Sequence, residues 1–271
     1  MVELPQLVMQ KLPDTNKSLG QHWLTDQSAL SDIADAADIS PDDIVVEIGP
    51  GPGTLTYLLV RRAKQVIAVE FDAKLARELP RRVEAANLQV VTQDILSFDF
   101  SDLPAGYKVV ANIPYYLTSN LIRVMSESTN PPRTAVILIQ KEVAERVCAK
   151  PGDLSLLGIT AQYYWNVSLG ARVPAVLFTP PPKVDSQVLI MQFRPSPLFD
   201  DVDTKVFFRL VKAGFGQRRK TLLNSLSAGL STPKEAVQKA CKSIEIDPSR
   251  RAQTLTLQEW HSLYRAFNLT S

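Results

Sequence analysis

The sequence predicts an α/β fold, a parallel sheet with helical crossovers, followed by a smaller helical domain. After an N-terminal tail, short β-branched runs alternate with helical patterns through the first 140 residues, which is typical of such a sheet. Beyond Arg194-Pro195-Ser196-Pro197 the pattern is helical to the end. The chain has 271 residues and is 45% hydrophobic, enough for one large and one small domain, which we place at residues 1–195 and 196–271.

Local patterns locate the strands and helices of the first domain. Apolar and β-branched runs predict five strands, at Ile44–Ile48, Val66–Glu70, Gln89–Thr92, Lys108–Asn112 and Ala135–Gln140. Helices are predicted at Leu55–Arg62 and at Ala73–Ala86, where apolar residues recur at a spacing of four. Two later strand-like runs, Ala161–Val167 and Val188–Phe193, flank a proline-rich stretch. We expect them to form a final hairpin pair.

Composition argues against several classes of protein. The longest apolar run, Ala135–Ile139, is far shorter than the roughly 18 residues of a membrane-spanning helix. The first residues lack the basic and apolar regions of a secretory signal. The cysteines Cys148 and Cys241 and the two histidines stand apart in sequence, so a disulfide framework or a metal site is not expected. We therefore predict a cytoplasmic protein without a bound metal.

Charge is distributed unevenly along the chain. Residues 1–200 carry 18 Lys and Arg against 22 Asp and Glu, whereas residues 201–271 carry 12 against 6. The densest basic cluster is Arg218-Arg219-Lys220, with Lys205, Arg209 and Lys212 upstream, and it lies on a predicted helix. The C-terminal domain is therefore expected to contact an anionic partner, with nucleic acid as the first candidate. A solvated helical surface is the alternative interpretation.

A glycine-rich turn after the first strand predicts a cofactor site. Gly49-Pro50-Gly51-Pro52-Gly53 separates this strand from a helix, where glycine lets a ligand approach the backbone closely. Thr54 and Thr56 occupy the positions at which a dinucleotide fingerprint needs its third glycine, and no Walker sequence follows. The turn therefore favours a nucleoside cofactor without phosphates.

Acidic residues near the strand ends fit such a cofactor. Glu70 closes the second strand, where a carboxylate can accept both ribose hydroxyls. Asp94 closes the third strand and can accept from an adenine amino group, and Glu47 precedes the glycine turn, where the cationic end of an amino acid would arrive. Each alone is compatible with an ordinary loop or cap carboxylate. Together, beside this turn, they predict S-adenosylmethionine.

The fourth strand ends in a second chemical motif, Asn112-Ile113-Pro114-Tyr115-Tyr116. Pro114 holds Ile113 out of the helical region, so that its carbonyl can point away from the chain. An amide oxygen, an aimed carbonyl and an aromatic face make a pocket for a planar amine such as adenine N6. The alternative is a capped turn with Tyr115 in the core.

These motifs resemble those of the KsgA/RsmA ribosomal RNA adenine dimethyltransferases, relatives of the erythromycin-resistance methyltransferases. The resemblance begins at about Lys17 and is carried by Lys17-Ser18-Leu19-Gly20-Gln21-His22-Trp23-Leu24, Val46–Thr56, Asn112–Tyr115, Gln140–Arg146, Phe178–Ser186 and Phe215–Leu222. The glycine turn alone indicates only a methyltransferase, whereas its combination with Asn112–Tyr115 and Phe178–Ser186 is specific to the family. The implied fold is a Rossmann-like S-adenosylmethionine-dependent methyltransferase sheet with a smaller C-terminal helical domain.

The resemblance implies an enzyme that dimethylates N6 of two adjacent adenosines in the 3′-terminal hairpin of small-subunit (16S) ribosomal RNA during ribosome biogenesis. Nothing in the sequence demands more than a monomer. Cofactor contacts are expected at Gln21, His22, Leu24, Glu47, Gly49, Gly51, Gly53, Glu70, Asp94 and Asn112. Asn112, Ile113, Pro114, Tyr115 and Phe178 are expected to form the catalytic site, with the target adenine between Tyr115 and Phe178. Arg218, Arg219 and Lys220 are expected to bind RNA.

The chain departs from the family pattern at two places. His22-Trp23 stands where the family usually has Asn-Phe, and a longer loop with a Tyr-Gly-Arg stretch is missing after Pro151-Gly152. Three alternative functions remain open from the sequence. They are methylation of large-subunit RNA of the erythromycin-resistance type, a non-catalytic role in ribosome assembly, and a nicotinamide oxidoreductase.

Overall fold

The computed structural model describes residues 12–16, 19–217 and 219–267, which form two compact units. The first unit contains the described residues up to Glu145 together with Trp165–Phe193, and the second contains Arg146–Tyr164 and the described residues from Arg194 onward. The sequence-based division after residue 195 lies close to the last junction. Residues 146–164, which that division assigns to the first domain, pack instead in the second unit.

A seven-stranded sheet organises the first unit. Its strands are β2 (Ile44–Ile48), β3 (Gln65–Glu70), β4 (Leu88–Thr92), β5 (Lys108–Asn112), β6 (Thr134–Gln140), β7 (Trp165–Val173) and β9 (Ser186–Phe193). In the order β4-β3-β2-β5-β6-β9-β7, the strands from β4 to β6 are parallel, and β9 is antiparallel to both β6 and β7. The predicted α/β class is confirmed, and so is the pairing of the last two strands.

Two short strands form a separate antiparallel pair, β1 (Trp23–Leu24) with β8 (Phe178–Thr179). Trp23 is opposite Thr179, and Leu24 is opposite Phe178. This pairing brings two family motifs from distant parts of the sequence together.

The order of the strands creates a crevice between β2 and β5. From β2 the chain adds β3 and β4 on one side, and then returns to place β5 on the other side of β2. In open α/β sheets such a reversal leaves a ligand-binding crevice outside the carboxyl ends of the two strands. The glycine turn follows β2 and Asn112 ends β5, so both motifs lie at this crevice.

Five helices begin in the first unit, α1 (Gln27–Ala36), α2 (Thr54–Leu59), α3 (Ala73–Val83), α4 (Thr118–Glu127) and α5 (Lys141–Val147). The Asp72 carboxylate caps α3 by accepting the N–H groups of Lys74 and Leu75. The predicted extension of α3 to residue 86 is wrong, because the helix gives way at Glu84 to a left-handed backbone with φ 50°. The buried face of α3 contributes Leu79 and Val83 to the core.

The second unit is helical, with α6 (Leu156–Tyr164), α7 (Thr204–Phe215), α8 (Leu222–Leu230), α9 (Lys234–Ser243) and α10 (Leu257–Ala266). The predicted strand Ala161–Val167 is wrong at its start, because the chain is helical as far as Tyr164. Aromatic residues raise the local strand propensity there, but Tyr163 packs in the helical core with its ring centroid 5.3 Å from that of Phe207. Among the helices that the structure describes, none is both long and apolar enough to cross a membrane.

Candidate active site

A cavity of about 380 Å³ opens at the carboxyl ends of β2, β3, β4 and β5. Its lining includes the predicted residues Gln21, His22, Leu24, Glu47, Gly49, Gly51, Glu70, Asp94, Asn112, Ile113, Pro114, Tyr115 and Phe178. The fold therefore brings the predicted cofactor and adenine residues from separate segments into one site.

Gly53 is the predicted cofactor residue that does not line this cavity. It precedes the first residue of α2 with a left-handed φ of 89°, and its α-carbon faces α3. A Cβ atom at this position would lie 2.8 Å from Cδ1 of Leu79 and 3.0 Å from Cγ2 of Val83. Glycine is needed here because the turn packs closely against α3. The Gly-x-Gly-x-Gly spacing did not distinguish this packing role from a contact with the cofactor.

Gly51 allows the N-terminal segment to form one wall of the cavity. Its φ is 55°, and a Cβ atom here would lie 2.7 Å from Cζ3 of Trp23. The Thr54 hydroxyl donates a hydrogen bond to the Leu24 carbonyl over 3.0 Å, which ties the same segment to the start of α2. Trp23, which sequence reasoning left out of the site, is therefore part of its wall.

Glu70 is held beside the glycine turn by two backbone donors. Its Oε2 accepts the Gly51 N–H over 3.1 Å, and its Oε1 accepts the Asp72 N–H over 2.9 Å. Burial raises the pKa of Glu70, although these N–H groups oppose the shift. A carboxylate has about four lone-pair sites, so two acceptor sites remain for a diol.

Glu47 is a buried carboxyl group at the base of the cavity. The residue is 1% exposed, and its Oε2 has no hydrogen-bond partner among the residues that the structure describes. Burial raises the pKa of Glu47 to about 8; the nearby hydroxyl and N–H groups of Thr56 oppose the rise, and the negative charge of Glu70 adds to it. A buried acceptor without a partner is costly, so this atom fits a ligand that brings a cationic donor.

Asp94 lies after β4 and caps the turn that follows. Its Oδ1 accepts the Leu96 N–H over 2.9 Å.

Two apolar residues that sequence reasoning missed also line the cavity, each directly after an acidic residue: Phe71 after Glu70, and Ile95 after Asp94. Their position one residue beyond a strand-end carboxylate is the signal that could have identified them. Both suit the flat face of a nucleoside base.

The Asn112–Tyr115 turn follows β5 and lines the cavity on the other side of β2 from Glu70 and Asp94. The side-chain amide of Asn112 makes no hydrogen bond to another described residue, so it is available to a ligand. Tyr115 is half-buried, and its hydroxyl lies 2.9 Å from the Ser186 hydroxyl. Burial raises the pKa of Tyr115. Tyr115 thus lines the cavity while its hydroxyl is anchored, which disfavours the alternative of a purely internal ring.

His22 stands where the family usually has asparagine, and it has a structural partner. Its Nδ1 lies 2.7 Å from the carbonyl oxygen of Pro180, next to the short β1–β8 pair. Gln21 accepts the Asn16 N–H through Oε1 over 2.7 Å. Both residues line the cavity, and these contacts hold the N-terminal segment in place.

The predicted RNA-binding residues belong to the second unit. Arg219 and Lys220 are exposed in the connection between α7 and α8, whereas Arg218 lies outside the described residues. The prediction that this cluster sits on a helix is wrong for Arg219 and Lys220, because α7 ends at Phe215 and α8 begins only at Leu222. The upstream cations Lys205, Arg209 and Lys212 share one exposed face of α7.

Comparisons with known proteins identify the family of this chain. The family model described as ribosomal RNA adenine dimethylase matches residues 13–269. A protein of Alkaliphilus metalliredigens named ribosomal RNA small subunit methyltransferase A is 44% identical over 258 residues, covering 92% of this chain and 90% of the relative. A protein of the same name from Dehalococcoides mccartyi is 43% identical over 251 residues, covering 91% and 86%.

Two solved structures resemble the whole fold. A dimethyladenosine transferase from Plasmodium falciparum has a TM-score of 0.77 at 28% identity, covering 92% of this chain and 98% of that one. The 23S rRNA methyltransferase ErmE has a TM-score of 0.72 at 27% identity, covering 91% and 99%.

Proposed function

This chain belongs to the ribosomal RNA adenine dimethylase family, as its motifs predict, and from that premise we propose its substrate. It is an S-adenosylmethionine-dependent ribosomal RNA adenine dimethyltransferase. We propose that it dimethylates N6 of two adjacent adenosines in the 3′-terminal hairpin of small-subunit (16S) ribosomal RNA during ribosome biogenesis. Relatives named small subunit methyltransferase A support the choice of subunit.

The observation that carries the proposal is the single cavity shared by the cofactor residues and the Asn112–Tyr115 turn. Glu70 would hold the ribose hydroxyls of the cofactor, Asp94 would hold its adenine amino group, and Glu47 would hold its ammonium group. The unpartnered Oε2 of Glu47 supports this fit. When bound, S-adenosylmethionine supplies a sulfonium methyl group that is already activated for transfer.

The residues of the Asn112–Tyr115 turn hold and activate the target adenine. The Asn112 amide oxygen and the Ile113 carbonyl accept the hydrogens of N6. These contacts favour a pyramidal nitrogen with its lone pair exposed, an effect that is strongest in the transition state. The residues therefore orient N6 without needing a general base or a metal. Positioning of this kind supplies about 7–11 kcal/mol in favourable cases.

Aromatic stacking compensates for removing the base from its RNA. Extrusion of a base costs a few kcal/mol, and less for a loop base. Stacking on Tyr115 and Phe178 returns roughly 1–3 kcal/mol per base.

Arg219 and Lys220 bind phosphates of the same RNA, and such contacts position the substrate without reading its sequence. The shape of the folded RNA therefore selects the target.

Methylation of large-subunit RNA is the second candidate, because the 23S rRNA methyltransferase ErmE shares the whole fold. The two are distinguished by incubating the protein with methyl-labelled S-adenosylmethionine and with purified small or large subunits that lack adenine methylation. We expect labelled N6,N6-dimethyladenosine in small subunits. Label only in large subunits would favour the second candidate. No label, despite binding of S-adenosylhomocysteine, would favour a role in ribosome assembly without catalysis.

A further inference from the structure

The two aromatic walls of the proposed adenine slot come from distant segments of the first unit. Tyr115 lies in the turn after β5, and Phe178 begins β8. Stacking depends on the separation and tilt of these two rings, so some part of the fold must fix both. The dipeptide Asp185-Ser186, where β9 begins, contacts the segments that carry the two rings.

Ser186 anchors Tyr115. Its side chain is completely buried, and its Oγ lies 2.9 Å from the Tyr115 hydroxyl, 71 residues away in sequence. Ser186 is itself fixed on both sides, since it pairs with Gln140 of β6 and with Val173 of β7. The hydroxyl that holds the Tyr115 ring therefore belongs to a buried residue whose backbone is paired on both sides.

Asp185 anchors the turn that precedes Phe178. Its Oδ1 accepts the Ala175 N–H over 2.9 Å, and Ala175 begins the single-turn helix Ala175–Leu177 that leads directly into Phe178. Its Oδ2 accepts Nε of Arg172 over 3.0 Å, and its main-chain carbonyl accepts the Lys141 N–H over 3.0 Å. The Ala175 N–H, the Arg172 guanidinium and the positive charge of Lys141 hold the pKa of Asp185 below its usual range.

We propose that Asp185 and Ser186 are positioning residues for the target base: together they fix the spacing and tilt of the Phe178 and Tyr115 rings, so that N6 is presented to Asn112. This inference rests on the proposed adenine chemistry. It extends the site beyond the cavity lining, because neither Asp185 nor Ser186 lines the cavity. Both act through another side chain rather than by touching substrate.

The test of Ser186 is a kinetic comparison on small subunits that lack adenine methylation. Ser186→Ala leaves the Tyr115 ring without its anchor, so we expect kcat to fall about 10- to 100-fold, the effect of a displacement of the order of 1 Å. KM for the subunits and Kd for S-adenosylhomocysteine should not change, because neither phosphate contacts nor cofactor contacts are altered. Ser186→Thr, which keeps the hydroxyl, should recover most of the rate.

A double-mutant cycle separates positioning from a general structural effect. Tyr115→Phe already lacks the hydroxyl, so adding Ser186→Ala to it should cause no further loss of kcat. Ser126→Ala is the matched control: Ser126 is a buried serine of the same unit whose Oγ accepts a hydrogen bond from Trp165 Nε1 over 2.8 Å, and it does not line the cavity. It should lower stability and leave kcat unchanged.

Asp185 is tested by two substitutions. Asp185→Ala removes the acceptor for Ala175 and should lower kcat, whereas Asp185→Asn keeps an oxygen at that position and should retain most activity. Equal losses in the two variants would overturn the assignment of Asp185. A wild-type kcat in Ser186→Ala, or additive losses in the cycle, would overturn that of Ser186. Wild-type protein that methylates neither subunit would overturn the proposed function, on which this inference rests. If only the positioning role is wrong, the wild type is still active, so the two failures are distinguishable.

Discussion

Glu47 illustrates how a binding site is maintained against the stability of the fold. The carboxyl group is buried, lacks a partner for Oε2 among the described residues, and has its pKa raised by burial to about 8. In the unfolded chain this carboxyl group has an ordinary pKa of about 4.5. The folded state therefore loses relative stability as the pH rises from about 4.5 to about 8.

We expect Glu47→Gln to be more stable than the wild type at alkaline pH. The substitution removes the ionisation that favours unfolding, so the gain should be small near pH 5 and grow to roughly 2–5 kcal/mol above about pH 8. Thermal unfolding at both pH values measures it. The same variant should bind S-adenosylhomocysteine more weakly, because its side chain cannot take up the negative charge that would face the ammonium group. Equal stability changes at the two pH values would contradict the assigned pKa.

Asn112 is the residue on which the proposed adenine chemistry depends most. Asn112→Ala removes one acceptor of the N6 hydrogens, and by analogy with the loss of a single oxyanion-hole donor we expect kcat to fall about 10²- to 10³-fold. Single-turnover methylation of small subunits is the measurement. Dimethylation at the wild-type rate in this variant would refute the assigned amine contacts.

The glycine turn after β2 connects backbone conformation to cofactor binding. Gly51→Ala introduces a Cβ 2.7 Å from Trp23 Cζ3, in addition to the strain of a left-handed backbone. We expect a displaced Trp23 and a weaker affinity for S-adenosylhomocysteine, measured by tryptophan fluorescence and calorimetry. Gly106→Ala is the matched control, because Gly106 has φ 83° and open space around its Cβ position. If both variants lose affinity equally, backbone strain rather than Trp23 is responsible.

The strands and the motifs at their ends were predictable because their signals are local. Short runs of apolar and β-branched residues identified β2 and β5, and the glycine and Asn112–Tyr115 motifs follow those strands directly. The β1–β8 pair was not predicted, since it is formed by two-residue strands far apart in sequence. The anchoring contact of Ser186 with Tyr115 has no sequence signal either, because it depends on strand order.

That residues 146–164 belong to the second unit could not be predicted from the local sequence pattern either. Their propensities do not distinguish a strand from a helix, and the choice was made by packing, in which Tyr163 joins Phe207 in the core of the second unit. The Gly152 N–H donates to the Gln253 carbonyl over 3.0 Å, which fixes this segment within that unit. A contact between residues so far apart cannot be read from periodicity.

The charge of the sequence changes near residue 200, and this change supports the proposed separation of cofactor binding from RNA binding. The sequence up to residue 200 has an excess of acidic residues, including those of the cofactor site, whereas residues 201–271 carry twice as many Lys and Arg as Asp and Glu, 12 against 6. An excess of exposed cations suits phosphate binding, which strengthens as salt is lowered. We therefore expect cofactor affinity and RNA affinity to respond to separate sets of substitutions.

Replacing Arg219 and Lys220 together by alanine tests this separation. If each side chain contacts one phosphate, the slope of log affinity for small-subunit RNA against log salt should flatten by about 1.4–1.8, with Kd for S-adenosylhomocysteine unchanged. The double variant Lys239→Ala/Lys242→Ala is the matched control. Both lysines are exposed in the same unit but lie outside the Phe215–Leu222 stretch, and their replacement removes the same two positive charges. We expect this control to retain the wild-type slope. Equal flattening in both variants would indicate a response to net charge, and an unchanged slope for Arg219 and Lys220 would exclude them from the RNA contact.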